Sequence, residues 1–131
     1  MDTFFPTLLG KDVLVLVIED EKVSRIALGM LLALNGYTTE TVGSAEEAVA
    51  LLAVGQMPQL AVVDLDLPGM SGAEFVDYLE QAAPYVRAVI VSATSEDNLR
   101  DRMARHHVPF LRKPINFNDL LHVLDGPLKP N

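Results

Sequence analysis

Five polar residues of this sequence stand where short apolar runs end. Glu19 and Asp20 follow Val13-Leu-Val-Leu-Val-Ile18, and Asp64 follows Leu60-Ala-Val-Val63, with Asp66 two residues further on. Ser92 follows Val89-Ile-Val91, and Lys113 follows Phe110-Leu-Arg112. Acids crowded together repel one another and are costly to desolvate unless something positive compensates. An all-oxygen ligand set suits a hard cation, Mg2+ or Mn2+, which keeps several waters and takes only a few protein carboxylates. A lysine and a hydroxyl nearby are what the oxygens of a phosphoryl group need, and one acid is then available as a nucleophile toward phosphorus. Any one of these residues alone reads as a capping or loop residue. All five at strand ends mark a site.

That convergence requires parallel strands whose carboxyl ends share one edge. Val13 to Ile18 is six consecutive apolar, mostly β-branched residues, the pattern of a strand buried on both faces. The segment to Leu34 places Val23, Ile26, Ala27, Met30, Leu31 and Leu34 at helical spacing, and Asn35-Gly36 ends it. Tyr37 to Val42 is a shorter, more polar strand. Ser44-x-x-Glu47 is a capping box opening a helix that Gly55 closes, and Ser71-x-x-Glu74 is a second one, before Phe75, Val76 and Leu79. Leu60 to Val63 and Val86 to Val91 read as buried strands, and Ser95 to about Arg105 as a helix with acids first and arginines last. Val108 to Leu111 is a strand that Pro109 confines to a sheet edge, and Asn116-x-x-Asp119 caps a last helix through Phe117, Leu120, Leu121 and Leu124. Strict alternation of five strands and five helices predicts a doubly wound α/β fold, three layers deep, with a parallel sheet and right-handed crossovers. In such folds the chemistry sits at the carboxyl ends of the strands, near the switch point of strand order.

Length and composition agree. The 131 residues, 50% apolar and 21% charged, make one domain with an adequate core. A net charge of −8 argues against binding nucleic acid through phosphate neutralisation. The absence of cysteine excludes disulfides, thiolate metal sites and cysteine nucleophiles. The longest apolar stretch, Ile26 to Leu34, is far short of the ~20 residues of a membrane span. The N-terminus lacks a basic segment and an A-x-A site, so no secretory signal is expected and the chain reads as soluble and cytoplasmic. Residues 1–82 hold three basic residues against thirteen acids, whereas residues 83–131 hold seven against five, which points to two surfaces with different jobs. His106 and His107 are adjacent and so point apart, which argues against a metal site there.

From about Asp12 to Leu124 the sequence resembles the receiver domains of two-component response regulators. The resemblance rests on the apolar strand ending in Glu19-Asp20, on Asp64 with Pro68-Gly69 following, on Ser92-Ala93 and on Lys113-Pro114. It implies a five-stranded sheet of order 2-1-3-4-5, as in flavodoxin-like folds. It implies a receiver over residues 12–125, with an N-terminal extension over 1–11 and a C-terminal tail over 126–131. By this resemblance Asp64 is the phosphoacceptor, charged by a histidine kinase or a histidine phosphotransfer protein. Glu19 (where the family often has Asp), Asp20, Asp64 and the backbone carbonyl of Asp66 would hold Mg2+ or Mn2+. Lys113 would pair with a phosphoryl oxygen, and its bond to Pro114 is expected to be cis. Ser92 matches the hydroxyl that swings toward the phosphoryl group, and Phe110 the aromatic that turns inward with it. Asp66 and Thr94 are the positions expected to tune phosphoryl lifetime. The fourth helix, fifth strand and fifth helix would carry the output surface, with Arg100, Arg102, Arg105 and Arg112 as its basic face. A downstream protein or a second receiver would dock there, with no direct contact to nucleic acid or membrane. Such a domain is a signalling switch whose only chemistry is its own phosphorylation and dephosphorylation, either standing alone or serving a larger protein.

Three other readings fit part of the pattern. Asp64-Leu-Asp66 after an apolar strand also resembles the nucleophile motif of haloacid-dehalogenase-type phosphatases, but that family places the motif on its first strand and its acidic pair last. A flavodoxin-like cofactor binder needs a phosphate loop rich in Ser, Thr and Gly, which Glu19-Asp20-Glu21 would oppose. A receiver fold serving only as an interaction module, without phosphorylation, is the third.

Overall fold

The period-two alternation of the central strands sorts their side chains into two cores. The computed structural model describes residues 13–95, 101, 103 and 107–126. Its elements run β1 (Leu14–Ile18), α1 (Lys22–Leu34), β2 (Thr38–Val42), α2 (Ala45–Ala53), β3 (Leu60–Asp64), α3 (Gly72–Ala82), β4 (Arg87–Ser92), β5 (Phe110–Arg112) and α4 (Phe117–Leu124). The five strands are all parallel, as the alternation predicts, and run in the order β2-β1-β3-β4-β5 that the resemblance implies. Leu16, Ile18, Ala61, Val63, Ala88 and Ile90 face α2 and α3, where Ala45, Ala48, Phe75, Val76 and Leu79 close the layer. Val15, Val17, Leu60, Val62, Val89 and Val91 point the other way, onto Leu28 and Leu32 of α1 and Leu120 and Leu124 of α4. The result is three layers, with the sheet buried on both faces.

Most helix boundaries follow the sequence signals. Ser71 and Glu74 form a complete capping box, and Asn116 accepts from the Asp119 N–H. At Ser44 only half of the box forms: its hydroxyl oxygen accepts from the Glu47 N–H, but the Glu47 carboxylate accepts from the Ser44 hydroxyl instead of the backbone. Gly36 and Gly55, with φ of 93° and 101°, end α1 and α2 in the left-handed conformation that glycine adopts without strain. β5 begins two residues later and ends one later than Val108–Leu111, at Phe110–Arg112, just after Pro109, and lies at the edge of the sheet as expected. The helix expected from Ser95 to about Arg105 is described at Ser95, which is not helical, and at Asp101 and Met103, which are, with Met103 buried in the α3-side core.

One helix is turned over relative to its hydrophobic pattern. Val23, Ile26, Met30, Leu31 and Leu34 of α1 are exposed, Val23 at 72% and Leu34 at 80%. The buried residues are Leu28, Gly29 and Leu32 on the opposite side. The close approach of α1 to the sheet explains the choice: a Cβ on Gly29 would lie 3.0 Å from Thr41 Cγ2. Only a small residue there lets the helix settle over β1 and the edge strand β2, and the broader apolar stripe is left facing out.

Candidate functional site

Strand register assembles the site. Ile18 pairs with Val63, so the next residues of the two strands, Glu19 and Asp64, stand side by side at the carboxyl edge. Asp64 pairs with Val91 and Ser92 with Arg112, which brings Ser92 and Lys113 to the same edge one step along. The Lys113 N–H donates to the Ser92 carbonyl at 2.8 Å, and the Lys113–Pro114 bond is cis, as expected. The Lys113 ammonium donates to Glu19 Oε1 and to Asp64 Oδ2, both at 3.0 Å. Glu19 and Asp64 are 5% exposed and Ser92 is fully buried, whereas Asp20 and Asp66 are exposed.

Burial pushes the Glu19 carboxyl up from its ordinary value, against the opposing pull of the Glu21 N–H and of Lys113. Desolvation pulls the Lys113 ammonium down, but the bonds to Asp64 and Glu19 outweigh it and its pKa is raised. The lysine is therefore held as a cation between two acids. Glu19, Asp20 and Asp64 each offer a carboxylate oxygen, and these oxygens lie within 4.8 Å of one another. A donor set of oxygens alone, two from nearly buried acids, fits a hard divalent cation and excludes a soft one.

The rest of the predicted set is placed around this cluster. The Asp66 N–H donates to Asp64 Oδ1 at 3.0 Å, which turns the Asp66 carboxylate toward β4. There Asp66 Oδ2 accepts from the Ser92 hydroxyl at 2.8 Å and from the Thr94 hydroxyl at 3.4 Å. Phe110 is half-buried and packs against the α3-side core. Arg112 is exposed at the end of β5. Arg100, Arg102 and Arg105 of the expected basic face lie outside the described residues.

Three residues without a sequence signature support the cluster. Arg25, one turn into α1, donates to the carbonyls of Glu19 at 2.9 Å and Asp20 at 3.3 Å, and so fixes the acidic loop. Glu46 of α2 accepts from the Met70 N–H at 2.8 Å and ties down the loop after β3. That bond holds its carboxyl below the usual glutamate range. Gly72 opens α3 against the back of the site, where a Cβ would meet the Asp64 carbonyl oxygen at 2.4 Å. Beside the cluster, a groove lined by Glu19, Ala27, Leu31, Lys113, Ile115 and Phe117 runs between α1 and the connection from β5 to α4.

A doubly wound parallel sheet with acids at its switch point is a site built to bind at the strand carboxyl ends. The chain belongs to the response regulator receiver domain family, whose model matches residues 15–125. It is 30% identical over 112 residues to the two-component response regulator ORR6 of Oryza sativa subsp. japonica, covering 81% of this chain and 65% of that protein. It is 34% identical over 95 residues to the probable transcriptional regulatory protein TcrX of Mycobacterium tuberculosis, and 31% identical over 103 residues to a cyclic di-GMP phosphodiesterase of Thermotoga maritima. These matches cover 72% and 78% of this chain but only 39% and 27% of those two proteins. Among solved structures, the receiver domain from Methanospirillum hungatei superposes with a TM-score of 0.79 at 22% identity, covering 86% of this chain and 90% of that one. The regulator TrrA of Thermotoga maritima, solved with Mg2+ and BeF, gives 0.75 at 24% identity over 86% of this chain and 96% of that one. Among the described residues no helix is long and apolar enough to cross a membrane.

Proposed function

We propose that this receiver accepts a phosphoryl group on Asp64 from a phosphohistidine. The observation that carries the reading is the ammonium of Lys113, 3.0 Å from both Glu19 and Asp64. It sets a cation against the nearly buried acceptor carboxylate, where the transferring oxygens arrive. An Asp64 oxygen forms the new O–P bond as the donor's N–P bond breaks, and the electron pair returns to the imidazole nitrogen. The product is an acyl phosphate. Glu19, Asp20, Asp64 and the Asp66 backbone carbonyl would hold Mg2+ (or Mn2+), which when bound neutralises the acids and polarises the phosphoryl oxygens. The Mg2+ and BeF of the TrrA structure are consistent with that assignment. Ser92 and Phe110 are the switch residues, Asp66 and Thr94 tune phosphoryl lifetime, and Arg112 belongs to the output face.

The phosphodonor, a histidine kinase or phosphotransfer protein of the cytoplasm, has to reach Asp64 over the carboxyl edge. The groove beside Lys113 leads there from α1, whose outward apolar stripe makes the helix apolar on both sides. A helix of that kind calls for cover, and an apolar surface continuous with the acceptor site suits a protein donor. The reading is tested with acetyl phosphate and Mg2+. The expected result is one hydroxylamine-labile phosphoryl group per chain, lost on removing Mg2+ and in Asp64→Asn. A wild-type protein that takes none refutes it.

A further inference from the structure

We infer that the Asp66 carboxylate is a resting-state latch on the switch hydroxyl. The inference deepens the phosphoacceptor reading and rests on it. Ser92 is fully buried, and its hydroxyl has one proton to donate. That proton goes to Asp66 Oδ2 at 2.8 Å, while the Ser92 oxygen accepts from the Thr94 N–H at 3.0 Å. The Thr94 hydroxyl donates to the same carboxylate oxygen at 3.4 Å, so the segment after β4 is tied to the loop after β3 at two points. The Asp66 N–H in turn donates to Asp64 Oδ1, which keeps the latch in register with the acceptor.

A hydroxyl committed in this way cannot also donate to a phosphoryl oxygen on Asp64. Phosphorylation must therefore exchange one anionic acceptor for another: Ser92 leaves Asp66 and turns to the phosphoryl group, and Thr94 is released with it. The exchange is close to balanced because both acceptors are charged. An uncharged residue at position 66 removes the competing acceptor and shifts the balance toward the switched state. A charge-assisted bond of this kind corresponds to about a tenfold change in that equilibrium. Asp66 is thus a positioning residue whose side chain sets the threshold of the switch.

The test is a double-mutant cycle in the full chain, read as the concentration of beryllofluoride with Mg2+ that half-saturates the Phe110 amide shift. Asp66→Ala is expected to lower that concentration about tenfold when Ser92 is present and to change it less than about twofold in a Ser92→Ala background. In the absence of beryllofluoride, the Phe110 and Ser92 amides of Asp66→Ala are expected to lie part-way toward their bound positions. Equal effects in both backgrounds would show Asp66 acting through its charge alone and would overturn the latch. So would no effect, or weaker binding, in the Ser92 background. A wild-type protein that takes no beryllofluoride would instead defeat the phosphoacceptor reading itself, and the latch with it.

Discussion

Replacing Gly72 with alanine sets two effects of opposite sign against each other. Gly72 is the first helical residue of α3, and alanine is worth up to about 1 kcal/mol over glycine within a helix. The methyl group, however, would stand 2.4 Å from the Asp64 carbonyl oxygen and 2.7 Å from Leu65 Cα. Both are backbone atoms of the strand end that carries the acceptor, so neither can rotate away. Overpacking costs about 1–3 kcal/mol, and contact with backbone on two sides places this case at the upper end. The net expectation is a loss of about 2 kcal/mol, which for a chain of this size lowers Tm by about 6–10 °C. Because α3 relieves the contact by pushing on Asp64, acetyl phosphate labelling is also expected to slow, by about tenfold or more. Gly29→Ala is the matched control. In mid-α1 the new methyl group meets only Thr41 Cγ2 at 3.0 Å, the end of a side chain that can turn, so stability should hold within about 1 kcal/mol of wild type. Urea and thermal unfolding of the two variants decide the matter. A Gly72→Ala protein as stable as wild type, or two variants destabilised alike, would refute the reasoning.

The other predictions address the charges and the outer surface. Lys113→Gln leaves Glu19 and Asp64 facing each other without the ammonium; it should abolish labelling and cost about 1–2 kcal/mol in urea unfolding. That is less than for a fully buried pair because the lysine is 31% exposed. The Glu46 carboxyl is held below the usual glutamate range by the Met70 N–H, so its clamp is complete above that range and lost as pH falls through the lowered value. The Met70 amide shift should titrate below the ordinary glutamate midpoint and lose that transition in Glu46→Gln; an ordinary midpoint would contradict the assignment. Ile26→Asp with Met30→Asp, on the exposed face of α1, should leave Tm within about 2 °C and acetyl phosphate labelling unchanged, while slowing transfer from a phosphohistidine protein about tenfold. Equal loss with both donors would remove α1 as the donor's surface.

The placement of the candidate site was legible in the sequence because in a parallel sheet position along the chain fixes position in space. Glu19, Asp64, Ser92 and Lys113 each directly follow or end a hydrophobic run, and register alone brings such residues to one edge. Supporting contacts made across the fold left no such trace. Arg25 and Glu46 are surface residues of helices by pattern, and their roles come from loops that only the tertiary structure brings near. The orientation of α1 was hidden for a different reason. Its residues are apolar around most of the helix, and the inward face is chosen by the close approach at Gly29 rather than by the larger stripe through Val23, Ile26, Met30 and Leu34. Hydrophobic periodicity locates a helix with two apolar faces but does not say which of them is covered by the chain's own sheet. The complete box at Ser71 and the partial one at Ser44 differ only in which Ser44 donor the Glu47 carboxylate takes, a choice that spacing does not encode.

The central claim, that the carboxylate of Asp64 is the group that takes the phosphoryl, is open to direct mapping. Protein incubated with acetyl phosphate and Mg2+ is reduced with borohydride, which converts an aspartyl phosphate to homoserine, and the peptides spanning Val13 to Arg25 and Leu60 to Gly72 are sequenced by tandem mass spectrometry. Homoserine is expected at position 64, with aspartate retained at Asp20 and Asp66. Homoserine at either of those positions, or an unmodified Asp64 in protein that has taken up phosphate, would contradict the claim.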